Sequence, residues 1–332
     1  MSTVPLPPLP PLLRRPVKGV LVTGTDATVG ERLVRTLLED PDVEHVVAVG
    51  SRPPEEAVPL RHAGKLTYLA VDLLRERRVH DLLFGPARDL GVEVVVHTAM
   101  SRSANEEGGK VHAQNVDATR ALLDMCERHP TIRRFILKSF SDVYQVQADL
   151  PVLIGEEHPL NLSQEAPQWV RDRVEADLHA CVRMGLSRLQ IVVLRCAEVL
   201  APGTGSQLFD YLESPVCFLP IGFDPMINVL SLPDVVRAFV AAVHGGEQGV
   251  FNIPGVDTLP LAECIMKWGR MSIPVPGAWM TPLYRWRRRW RGHDFRYGMN
   301  RRRFHYSGVL DGRRAREVLG YEPEARVQWA LK

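Results

Sequence analysis

Long apolar runs are missing from this chain. Among its 332 residues no stretch approaches the roughly 18 uncharged residues that a spanning helix needs. Cysteine is scarce. The five residues Cys126, Cys181, Cys196, Cys217 and Cys264 are widely spaced and contain no C-x-x-C pair, which argues against a disulfide framework and a zinc site. Lysine is absent between Lys138 and Lys267, and there is no internal repeat. The N-terminal stretch MSTVPLPPLPPLLRRP lacks the charged-then-apolar order of a secretory signal, so a cytoplasmic location is expected. What remains is ordinary for a globular chain. Hydrophobic residues make up 45% and charged residues 24%, which excludes a disordered or fibrous molecule as a whole.

Charge is unevenly spread. The formal net charge is +2, yet residues 270–332 carry 15 Lys/Arg against 5 Asp/Glu. A basic C-terminal segment on a mildly acidic body suggests an anionic partner, with solubility as the plainer explanation. Residues 1–16 are too rich in proline for a helix or a central strand and read as a flexible, polyproline-like arm.

From Lys18 onward short apolar runs alternate with helical spacing. Gly19–Thr23, His45–Val49, Leu66–Val71, Glu93–Thr98, Arg134–Ser139, Gln190–Arg195 and Val250–Ile253 read as buried strands. Glu31–Glu39, Val111–His129, Trp169–Met184 and Leu232–Val243 read as helices, the last opened by a capping box at Ser231 to Asp234. This alternation predicts an α/β fold with a doubly wound parallel sheet.

The first strand runs into Thr23-Gly24-Thr25-Asp26-Ala27-Thr28-Val29-Gly30, which opens the first helix. A dinucleotide fold places its pyrophosphate there, using glycines for a tight turn, for bare backbone at the phosphates and for close packing of helix on strand. Ala27 occupies the middle position, where its methyl loosens phosphate contact. An acid for the ribose 2′-hydroxyl is expected at the end of the second strand. That stretch reads Val49-Gly50-Ser51-Arg52 instead. Ser51 and Arg52 suit a 2′-phosphate and favour NADP over NAD; a solvated turn before Pro53 and Pro54 is the competing reading.

Further blocks fall into one order. Val71-Asp72-Leu73, His97-Thr98-Ala99, Asn115 to Thr119, the run Phe135 to Tyr144, Val193 to Arg195, and Leu310-Asp311 with Arg313–Gly320 resemble successive motifs of the extended short-chain dehydrogenase/reductase family, the NAD-dependent epimerase/dehydratase type. The resemblance runs from Lys18 to Glu324. It implies a Rossmann-type domain over 17–198 plus 226–256 and a small substrate-type domain over 199–225 plus 257–332. It also implies cofactor contacts from Gly24, Ala27, Thr28, Val29, Gly30, Ser51, Arg52, Asp72 (toward adenine), Leu73, His97 and Ala99, although His97 also reads as a structural residue at a strand end. A homodimer is compatible with it.

The family's chemistry rests on a tyrosine acid/base, a lysine four residues later on the same helix face, and a serine or threonine. The matching positions hold Trp169, Arg173 and Phe140, and no Y-x-x-x-K occurs anywhere. Indole has no proton to exchange near neutral pH, and guanidinium is not a base. Arg173 could still hold a ribose hydroxyl. Asp142 and Tyr144 are candidate substitute acids, and Lys138 shares a strand face with Phe140; a loop-capping Asp, a packing Tyr and a strand-end Lys are the plainer readings. The expectation is a catalytically degenerate homologue that senses a nucleotide, regulates or scaffolds. It would bind NADP or NAD weakly or not at all. The alternative is a reductase or epimerase acting on a sugar nucleotide or lipid-linked substrate through a non-standard acid.

Trp279–Tyr306 interleaves arginine with aromatics, and the spacing predicts Trp286 and Trp290 on one helix face with Leu283 and Trp279 nearby. A substrate-domain helix packing its tryptophans inward is one reading. A contact of Tyr284–Arg303 with anionic lipid, peripheral at a membrane, or with an acidic protein is the second. Nucleic acid ranks last, because no recognised module is present. Asp294 is the sole acid between Tyr284 and Leu310, which predicts an unneutralised run.

Overall fold

The computed structural model describes residues 15–52, 64–245, 247–291 and 294–330. The arm through residue 14, Pro53, Pro54 and His293 lie outside the described residues, as do the side chains of Arg288, Trp290 and Arg291. In chain order the strands are β1 Val17–Thr23, β2 Val43–Gly50, β3 Leu66–Ala70, β4 Val94–His97, β5 Arg134–Phe140, β6 Leu153–Ile154, β7 Gln190–Cys196, β8 Glu198–Val199, β9 Val216–Pro220, β10 Met226–Leu230, β11 Gly249–Ile253, β12 Asp257–Pro260, β13 Met271–Val275 and β14 Val309–Leu310. The α-helices are α1 Thr28–Glu39, α2 Glu76–Leu82, α3 Gly109–His112, α4 Ala118–Arg128, α5 Gln168–Cys181, α6 Gln207–Leu212, α7 Leu232–His244, α8 Leu261–Lys267, α9 Gly277–Arg291, α10 Tyr297–Asn300 and α11 Arg313–Leu319.

Seven strands form one sheet in the order β11-β7-β5-β4-β1-β2-β3, parallel throughout. All seven sequence-derived strands are in it. Their near-continuous apolar runs are explained by burial on both faces. Val20, Val22, Val46 and Val96 pack with Leu33, Leu37 and the α7 residues Val236 and Phe239 on one side. The intervening Leu21, Val47, Val95 and Leu137 pack with Val79, Leu122 and Ala176 from α2, α4 and α5 on the other. Strand order reverses between β1 and β4, so the crevice at their carboxyl ends is where this architecture accepts ligands. The α7 cap forms as expected on one side, with Ser231 Oγ accepting from the Asp234 amide at 3.1 Å. The Asp234 carboxylate turns away and accepts from the Glu324 and Ala325 amides, fastening the C-terminal tail.

A third apolar cluster gathers Leu208, Tyr211, Leu212, Val229, Ile265, Met280, Tyr284, Phe295, Tyr297 and Phe304 beside the short strands β8–β10, β12 and β13. Its aromatic rings meet closely, with Tyr211 and Phe304 centroids 4.9 Å apart and edge-on. Tyr284, Phe295, Tyr297 and Phe304 of the basic aromatic stretch are thus core. Helix α11 instead packs against the large sheet through Ala315 and Leu319.

Candidate functional site

The glycine turn sits at the switch point. Gly24 has φ +76°, and a Cβ on it would lie 2.7 Å from the Ala99 amide nitrogen. A Cβ on Gly30 would lie 2.4 Å from the Gly24 carbonyl oxygen, so α1 approaches β1 as closely as the spacing implies. Ala27 is the N-cap of α1 and supplies no side-chain cap. Val29 is buried, while the Thr28 hydroxyl donates to the Pro202 carbonyl at 2.5 Å, which lays the loop after β8 across the helix start. Arg52 and Arg102 both donate to the Asp26 carbonyl, at 3.0 and 3.2 Å.

The corner at the end of β2 differs from expectation. Asp26 reaches over from the glycine turn and accepts from the Ser51 amide (2.6 Å), the Ser51 hydroxyl (2.8 Å) and Arg52 Nε (3.2 Å). Burial works against its charge, but these three donors outweigh burial and hold the carboxyl below its ordinary range. A Cβ on residue 50 would lie 2.4 Å from the Tyr68 hydroxyl, 2.8 Å from Asp26 Oδ1 and 2.9 Å from Thr25 Oγ1. The carboxylate therefore stands where a side chain at the end of β2 would project. Ser51 and Arg52 spend donors on Asp26. Sequence reasoning missed this because it sought the acid only on β2; the signal was the acid inside the glycine turn paired with glycine at residue 50. Asp72 is exposed and accepts from the Leu74 amide at 3.1 Å, capping the turn after β3, while Leu73 packs on the core.

His97 is placed in the core, not at the crevice. It is fully buried, with Nδ1 2.7 Å from Thr23 Oγ1 and Nε2 3.0 Å from Thr119 Oγ1. The Thr119 hydroxyl already donates to the Asn115 carbonyl, so it accepts from Nε2–H, and Nδ1 accepts from Thr23. Burial pulls the imidazole down to about 4, so it is neutral near pH 7.

Positions 140, 169 and 173 form one object. The Arg173 guanidinium lies 3.5 Å from the Phe140 ring centroid and 3.6 Å from that of Trp169. Asp142 closes this clamp, accepting from Trp169 Nε1 at 3.1 Å and from Arg173 Nη1. Arg173 Nη2 donates to the Gly205 carbonyl at 3.3 Å. The side chain is 4% exposed. Lys138 also lies 3.6 Å from the Phe140 centroid, with burial pulling its ammonium down to about 8. Around Lys138, Phe140, Arg173 and Cys196 there remains a cavity of about 10 Å³, room for one water at most.

Tyr144 is a structural residue. Its hydroxyl donates to Asn252 Oδ1 at 2.7 Å and accepts from Arg195 at 3.0 Å, and burial pushes the phenol up to about 12 in spite of Arg195. Near neutral pH the phenol keeps its proton. Asp142 differs: its Oδ1 is buried and has no hydrogen-bond partner. Asp142 also lines a cavity of about 290 Å³ with Asn161, Glu165, Trp169, Arg301 and Arg302. Acids from elsewhere in the chain neutralise part of the basic run, which corrects the expectation drawn from Asp294 alone. Arg296 pairs with Glu107, and Arg303 pairs with Glu198 while donating to Ser141 Oγ at 2.8 Å.

The residues suit part of a dinucleotide. Bare glycines, the α1 N-terminus and the Asp26 carboxylate fit an adenosine diphosphate moiety. The clamp occupies the ends of β5 and β7.

Comparison with known proteins places this geometry. The chain is 30% identical over 317 residues to an uncharacterized protein of Mycobacterium tuberculosis, covering 92% of this chain and 80% of the relative, with the same values for a Mycobacterium bovis protein. Solved structures share the fold. UDP-glucuronic acid 4-epimerase from Bacillus cereus in complex with NAD superposes with TM-score 0.66 at 19% identity, covering 93% of this chain and 92% of that one. dTDP-glucose 4,6-dehydratase from Bacillus anthracis in complex with NAD gives 0.66 at 17%, covering 92% of each. Residues 20–212 match the NAD dependent epimerase/dehydratase family, and with the glycine turn found at the switch point of its sheet, the chain belongs to that family.

Proposed function

We propose that the protein is a catalytically degenerate member of its family that senses a nucleotide through the adenosine half of the crevice and acts as a regulatory or scaffold protein at an anionic surface. The observation that carries this reading is the Arg173 guanidinium held between Phe140 and Trp169 and closed by Asp142. A side chain committed to two rings, a carboxylate and a carbonyl is not poised to lower the pKa of a neighbouring acid. NAD and UDP-glucuronic acid, bound by structural neighbours, are the first compounds to test. Nicotinamide absorbance should stay flat with NAD and a panel of UDP-sugars, while ADP-ribose should titrate as tightly as NADH within about threefold, or less than 1 kcal/mol. Sustained turnover would refute the reading.

Asp26 sets the expected preference within that crevice. Its carboxylate favours a free ribose 2′-hydroxyl and repels a 2′-phosphate. NADH should bind at least about tenfold more tightly than NADPH, and Asp26→Ala, which releases Arg52, should erase or invert that ratio, because hydrogen bonds to charged groups contribute about 1.5–3 kcal/mol. Calorimetric titration of both forms decides it, and an unchanged ratio would sink the assignment.

The unpartnered Asp142 Oδ1 beside the larger cavity favours a second reading, a reductase or epimerase with Asp142 as its acid. Turnover abolished in Asp142→Asn would establish it.

A further inference from the structure

The crevice leaves one conspicuous surface unexplained. Strand β13 pairs in parallel with β9 alone in a two-stranded sheet. Four of its five residues are exposed, including Met271 at 66% and Ile273 at 43%. Ile221 lies beside the strand end, its amide donating to the Val275 carbonyl at 3.0 Å, and it is exposed too. Helix α9 continues from this edge. It turns Met280 and Tyr284 into the third cluster and presents Trp279 and Trp286 to solvent, each 63% exposed. Seven residues apart, the two indoles share one face about 10 Å apart along the axis. No charged residue occurs from Met271 to Tyr284. Arg285 and Arg289 then stand exposed on the same helix, within a segment of 15 basic against 5 acidic residues.

We infer that the β13–α9 face is a docking surface for an anionic lipid bilayer. Contiguous exposed apolar surface of this kind marks an interaction site on a soluble protein. Pro274 and Pro276 remove backbone donors along the open edge, which opposes pairing with a strand from another chain. The occupant must therefore accept apolar side chains without ordered backbone partners and must carry negative charge. A bilayer interface does both: indoles settle at headgroup depth, aliphatic side chains reach the acyl boundary, and guanidiniums meet anionic headgroups. The structure sets Trp279 beside Trp286 on this face, as the sequence pattern expects, and the Trp290 side chain lies outside the described residues, while Tyr284 belongs to the core.

The test is co-sedimentation with vesicles of phosphatidylcholine alone or mixed with phosphatidylglycerol. The native chain should bind the mixed vesicles at least about tenfold more strongly, and raising salt from about 0.1 to about 0.5 M should remove most of that gain. Trp279→Ala/Trp286→Ala and Arg285→Glu/Arg289→Glu should each lower binding at least about tenfold, and urea titration of each variant checks that it remains folded. Quenching of indole fluorescence by brominated lipid chains should accompany binding of the native chain and fall in the tryptophan variant. Equal binding to both vesicles, no binding to either, or full binding by the tryptophan variant would overturn the inference, as would an acidic protein captured without vesicle binding. None of these substitutions touches the crevice, so nucleotide titration separates failure of the docking face from failure of the proposed loss of chemistry.

Discussion

Arg173→Leu should lower the unfolding free energy by about 3–5 kcal/mol in urea titration, the cost of leaving a buried carboxylate without its partner. The guanidinium is 4% exposed and the Asp142 side chain 10%. Two further losses follow from the geometry. Phe140 and Trp169 each lose a stacked cation, and the slot between them becomes a void. Arg173→Lys keeps the charge but not the plane, and should lose about 1–2 kcal/mol. Adding Asp142→Asn to Arg173→Leu should recover part of the deficit, because the stranded charge disappears. Had these positions drifted independently, Arg173→Leu would cost no more than an average substitution, about 1 kcal/mol. A measured loss that small would remove the clamp as a structural element.

Asp210→Asn should stabilise the protein at pH 8 and leave it nearly unchanged at pH 4. Asp210 lies on α6, and burial, with Asp294, Glu198 and Glu213 nearby, raises its carboxyl from 3.8 to about 7. The folded chain therefore holds this proton to higher pH than the unfolded chain does. The associated stability is fully present below about pH 4 and is lost as pH rises through about 7. At pH 8 the shift corresponds to about 4 kcal/mol as an upper bound. Asparagine does not titrate, so the variant's stability curve should run flatter across this window. Urea midpoints at pH 4, 6 and 8 test this, and parallel curves for native and variant would contradict it.

The large sheet was legible because its strands carry unbroken apolar runs, and the helix capped at Ser231 because its turn chemistry is local. The short strands β6, β8, β9, β10, β12, β13 and β14 were not read. They are two to five residues long, and their pairing is set by partners distant in sequence. The same distinction governs the site. Gly24 and Gly30 announce themselves by spacing and context. Asp26 filling the place of a side chain at residue 50 depends on two turns 25 residues apart in the chain. The identity of Phe140, Trp169 and Arg173 told what the site lacks. Only their spatial arrangement shows that the three side chains interlock with Asp142.

On the proposed reading, that interlocking makes the departure from proton chemistry a ratchet. Phe140→Ser takes one ring from the guanidinium and opens a hole beside Lys138. Trp169→Tyr removes the indole donor to Asp142, and Arg173→Lys leaves the slot between the rings underfilled. Each single step back toward serine, tyrosine and lysine is downhill in stability by about 1–3 kcal/mol, and no one of them restores an acid/base pair. For a domain stable by some 5–15 kcal/mol, a serine, tyrosine and lysine arrangement is then separated from the present one by weaker intermediates. Selection acting one substitution at a time has no rewarded path across that valley.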